Sequence, residues 1–173
     1  MIDATTLTPP LPAMPLRARA AWAVAGPAAV GLCLGLRFDP GAAATLAIAL
    51  PAVMLGVTAL TTPTLYIGAA FVGVAPKPRA VLAALSDGLA DAGRVLLGLA
   101  PALMFLTVTS TSKRTGLALA AAALLLGSLL GLRLLYRRLF PTGASARAMA
   151  LFAGWALVNL GLGAHLLMRV IAR

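Results

Sequence analysis

Carboxylates are almost missing from this chain: its 173 residues hold 4 acidic side chains against 14 lysines and arginines. Those four are Asp3, Asp39, Asp87 and Asp91, and none falls midway along an apolar run. Membrane enzymes and proton-coupled carriers need an ionisable group inside the bundle to take up a proton or hold an ion. The shortage argues against a proton relay, a di-metal site and a metal-dependent intramembrane protease. Cys33 is the single cysteine, so no intramolecular disulfide can form, and inside an apolar segment it reads as an inert packed thiol. Aromatics make up 5% of the chain, and its cations are scattered singly or in pairs between apolar runs. The formal charge of +10 therefore belongs to topology signals and lipid headgroups, with no basic stripe for nucleic acid.

What is abundant is hydrocarbon. Hydrophobic residues make up 61% of the chain and charged residues 10%, against about 45–50% and about 25% in soluble domains. The stretch Gly41 to Ala75 has no charged side chain at all. A run that long and that apolar belongs in lipid, so the chain is integral to a membrane. Arginine far outnumbers lysine and alanine is plentiful, which suggests a GC-rich bacterial genome and hence a bacterial cytoplasmic (inner) membrane.

The pattern predicts an all-α, polytopic transmembrane helical bundle with five spans and one amphipathic surface helix. Residues 1–19 read as a proline-rich cytoplasmic tail, without the basic start of a signal peptide. Residues 20–173 form one membrane domain. A first span over 20–36 ends where Asp39-Pro40-Gly41 favours a turn. A second, over 42–74, carries Pro51 and Pro63. It is read as one kinked helix; the alternative is a hairpin folded back near Thr62. Pro76, Lys77 and Pro78 end it. Over 80–94, Val81, Leu82, Leu85 and Leu89 share one face and Ser86, Asp87 and Asp91 another, so that stretch reads as a surface helix before a short span over 95–109. Asp87 and Asp91 read as a solvated face, with an Asp91–Arg94 ion pair of at most a few tenths of a kcal/mol. Spans over 115–135 and 148–171 complete the set.

Alternating sides then place Arg17, Arg19, Lys77, Arg79, Arg94, Arg133, Arg137, Arg138 and Arg147 together, facing Arg37, Lys113, Arg114, Arg169 and Arg173. The richer side holds the amino terminus, which the positive-inside rule puts in the cytoplasm, with the carboxyl terminus outside. Six spans would erase that bias.

Few residues can carry chemistry. Ser110, Ser128 and Thr107 have no base beside them to make a nucleophile. His165 and Asn159 are the strongly polar groups of the last span. Each reads as a hydrogen-bonding group between helices, with a ligand or proton-acceptor role as the sharper alternative for His165. Pro51, Thr62, Pro63 and Tyr66 mark a structural kink or the lining of a path. The pairs Gly31/Gly35 and Gly127/Gly131 are about as many as chance supplies and read as internal packing. No cofactor and no metal site is expected.

The run Leu60-Thr-Thr-Pro-Thr-Leu-Tyr66, its continuation to Gly73, the amphipathic stretch and Gly98-Leu-Ala-Pro-Ala102 together resemble bacterial relatives of the Yip1-type membrane proteins, over about residues 20 to 140. The resemblance implies a five-helix bundle in which Pro63, Leu65 and Tyr66 form a kink, a link to trafficking or membrane shaping, and no catalytic residues.

The resulting expectation is a non-enzymatic membrane protein that acts as scaffold, assembly factor or accessory subunit. Its partners would be membrane lipids and other membrane proteins or a second copy of itself, with no nucleic acid. The alternative is a carrier or channel for a neutral or apolar solute, lined by the proline-broken second span.

Overall fold

The computed structural model describes residues 14–75, 77–109, 112–140 and 145–171. Five helices account for nearly all of them: α1 (Leu16–Gly35), α2 (Pro40–Phe71), α3 (Pro78–Thr109), α4 (Lys113–Leu139) and α5 (Ala146–Ile171). Each is long and apolar enough to cross a bilayer. Local chemistry sets the α2 boundaries. Asp39 caps the start, its carboxylate accepting from the amide of Ala42 at 2.8 Å, and Pro40 occupies the first turn, where its missing N–H costs nothing. At the far end the amide of Val74 donates to Ala69 and that of Gly73 to Ala70, both at 3.0 Å, while Gly73 takes φ +75°. That closure needs a left-handed residue, so Gly73 ends the helix before the prolines expected to do so.

The stretch expected over 42–74 is one helix as far as Phe71, and not a hairpin. Threonines help: Thr61 donates to Val57 at 2.9 Å and Thr62 to Thr58 at 2.6 Å, so hydroxyls that water would otherwise solvate are satisfied within the helix. At about 48 Å, α2 outruns a roughly 30 Å hydrocarbon core.

The amphipathic stretch 80–94 is not a separate surface helix; it forms the first half of α3, continuous with 95–109. The reason lies in its polar face, which meets neighbouring helices. Arg19 of α1 reaches Asp87 at 3.0 Å, and Arg138 of α4 reaches Asp91 at 2.7 Å and Asp87 at 3.6 Å. The Asp91–Arg94 pair is present as expected, at 2.8 Å. An exposed pair contributes less than about 1 kcal/mol, but here two carboxylates tie three helices together, so the face read as solvated is a junction.

The helices alternate in direction, which makes α1 and α3 parallel. Gly26 lies against Gly93, Cys33 donates to the carbonyl of Ala100 at 3.6 Å, and Arg37 donates to that of Thr107 at 2.6 Å. In α1 against α2, Gly31 and Gly35 meet the backbone of Leu46 and Ala43; in α4 against α3, Gly127 meets Leu96 and Gly131 meets Ala92. Both glycine pairs thus serve internal packing. Val30, Leu34, Leu50 and Leu96 fill the core between them.

Contacts run in the order α5, α2, α1, α3, α4, each helix packed on the next, and α4 barely touches α5. The bundle is a ring with one open seam. Arg17, Arg19, Lys77 and Arg79 lie at the same end as the cations closing α4 and opening α5, matching the expected grouping; Arg173 lies outside the described residues.

Candidate functional site

Behind the α4/α5 seam lies a cavity of about 380 Å³, within the roughly 300–1,000 Å³ of small-molecule sites. It exists because α5 is fastened at both ends and small in between. At the lower end, Trp155 donates its indole N–H to the carbonyl of Thr61 at 2.9 Å. Beside it Phe152 packs on Tyr136 with ring centroids 5.3 Å apart, and on Trp155 at 5.7 Å. At the upper end Leu167, Val170 and Ile171 lean on the core. Between these anchors α5 presents Gly163 and Ala164, facing Ala121, Ser128 and Gly131 of α4. A Cβ built on Gly163 would meet nothing within 4 Å. Where these small residues face each other the two helices leave a gap, and the middle stays open.

The slot runs along the helices from Trp155 to Leu167 on α5 and from Leu135 to Ala121 on α4. At 1.5 Å per residue that is about 18–21 Å, longer than the roughly 15 Å depth of one leaflet's hydrocarbon. Its walls are mostly leucine, valine, alanine and glycine, and no charged side chain lines it. Its polar side chains are Thr58, Ser128 and Asn159, together with Trp155, whose N–H is already engaged.

The structure separates the residues singled out in the sequence. Asn159 lines the slot; His165 is exposed and does not line it. Pro51, Thr62, Pro63 and Tyr66 all lie off the slot. Pro51 is buried, Pro63 is exposed on the outside of α2, Thr62 is satisfied by Thr58, and Tyr66 packs beside the aromatic anchor. The lining from α2 comes instead from Leu50, Val53, Met54, Val57 and Thr58, on another face. Trp155, Ser128 and Gly163 were not marked as site residues. The one sequence signal was the run Gly161-Leu162-Gly163-Ala164, too small for a face that must pack. Among the described residues, no group of three or more His, Cys, Asp or Glu side chains could hold a metal.

No family model matches this chain, and no curated protein or solved structure shows significant similarity to it.

Proposed function

We propose that this multi-pass membrane protein is non-catalytic and works by holding the hydrocarbon chain of a membrane lipid in the slot between α4 and α5. The observation that carries the reading is the size and lining of the slot. Its length of about 18–21 Å suits a single extended hydrocarbon chain, and no charged side chain interrupts its walls. Apolar walls match such a chain, and the thin α4/α5 contact lets it enter sideways from the bilayer. A scaffold or accessory role then acts through lipid contact, and kinship with the Yip1-type bundles belongs to the same proposal, on the motifs at 60–73 and 98–102. The carrier reading is favoured by one observation, the length of the slot, which exceeds one leaflet.

The test is photolabelling by a diazirine-bearing hexadecane in lipid nanodiscs. Gly163→Phe puts a ring into open space. It should cut labelling at least tenfold while raising stability by about 1 kcal/mol, from removing a helix-interior glycine and filling a void. Thermal melting reads that as a rise of about 2–4 °C. Undiminished labelling would refute the reading.

The proposal places the cation-rich end in the bacterial cytoplasm. A cysteine introduced by Arg79→Cys should react with an impermeant maleimide in inverted vesicles and not in intact cells. Cys33 is buried, so the native thiol stays silent. The reverse pattern would invert the topology.

A further inference from the structure

Three polar side chains share one height in the slot. Trp155 meets Thr61 across the antiparallel α2/α5 contact, so Asn159, one turn above Trp155, stands level with Thr58. Phe152 meets Tyr136 across α4 and α5, so two turns further on Ser128 stands level with residues 159–160. All three line the cavity. The Thr58 hydroxyl is committed, donating to the carbonyl of Met54 at 2.8 Å. The side chains of Ser128 and Asn159 have no hydrogen-bond partner among the described residues. A carboxamide carries two donors and an acceptor, and a bilayer interior offers it no water. Leaving both groups unpaired in a dry apolar slot is costly, and an occupant that pairs with them removes the cost.

We infer that the occupant is an uncharged lipid bearing a carbonyl group, which accepts hydrogen bonds from the Asn159 amide and the Ser128 hydroxyl while its chain lies along the slot. The inference rests on the lipid-holding reading above and narrows it. A carbonyl fits because both free groups can donate. A charged headgroup does not fit, because no ionic side chain lines the slot to compensate it. From Asn159 to Leu167 the slot continues for about 12 Å, room for a hydrocarbon chain beyond the polar belt. Two sources supply this chemistry, the ring of an isoprenoid quinone and the ester of an acylglycerol.

Competition distinguishes them. In nanodiscs holding the full chain, decylubiquinone, dioleoylglycerol and plain hexadecane compete with the diazirine-bearing hexadecane. The expected result is that at least one carbonyl lipid displaces the probe at about a tenfold lower concentration than hexadecane, the worth of one good hydrogen bond. Whichever of the two competes better identifies the source. Asn159→Leu should erase the tenfold preference, Asn159→Gln should keep part of it, and Ser128→Ala should weaken it. Equal competition by all three compounds, unchanged in Asn159→Leu, would overturn the inference and leave the slot intact as a site for plain hydrocarbon. Labelling that survives Gly163→Phe overturns the underlying reading instead.

Discussion

Gly93→Leu is expected to break the bundle. A Cβ at Gly93 would collide with the carbonyl of Trp22 in α1, and one at Gly26 would collide with the carbonyl of Gly93. The obstacle in each case is backbone of the partner helix, which cannot rotate away as a side-chain tip can. α1 and α3 form the most extensive helix pair of the fold, with their backbones in direct contact. Pushing them apart forfeits the dispersion contacts along that seam, and in lipid no hydrophobic force restores them. Overpacking in a soluble core costs about 1–3 kcal/mol when side chains can adjust, and more where only backbone can move. Against a total stability of about 5–15 kcal/mol, the expected readout is loss of the monodisperse peak in detergent chromatography. Gly98→Leu is the control: it lies in the same helix, and its Cβ would meet nothing within 4 Å. A monodisperse Gly93→Leu protein with an unchanged melting temperature would show that the close α1/α3 approach is not what holds the fold.

Trp155→Ala is expected to free α5. This side chain is 6% exposed, fills the space between α2 and α4, and makes the indole bond to the Thr61 carbonyl. Large-to-small changes at buried aromatics cost about 3–5 kcal/mol in water, and part of that is a transfer term that lipid reduces. What persists is lost packing and a lost hydrogen bond, about 3 kcal/mol together. For a chain of this size that corresponds to a melting temperature lower by about 6–12 °C. Trp155→Phe keeps a ring and loses only the N–H donor, so it should fall by about 2–4 °C. Equal losses for the two variants would mean that the hydrogen bond alone anchors the helix. Because the slot depends on α5 being held at both ends, Trp155→Ala should also lose hexadecane labelling.

The sequence by itself determined the class of the molecule. Runs of apolar side chains around 41–75 and 115–135 admit no solvent but lipid, and backbone groups in lipid must pair within a helix, so an all-helical bundle with five crossings followed from composition and length. The break at Asp39-Pro40-Gly41 carries its turn chemistry locally and was legible in the same way, whereas the end of α2 was expected at Pro76 to Pro78 and falls earlier, at Gly73. Tertiary structure alone decided which faces meet. Nothing in the stretch 80–94 reveals that Arg19 and Arg138, 68 and 47 residues from Asp87 and Asp91, come to satisfy its acids and draw it into a long helix. Likewise a mostly apolar helix such as α2 carries no periodic mark of its inner face. The prolines drew notice, although the slot is lined by the face bearing Leu50, Met54 and Thr58. In water, burial sorts polar from apolar and writes the core into the pattern; in lipid both faces are greasy, and fit between helices, glycine against backbone and indole against carbonyl, makes the choice.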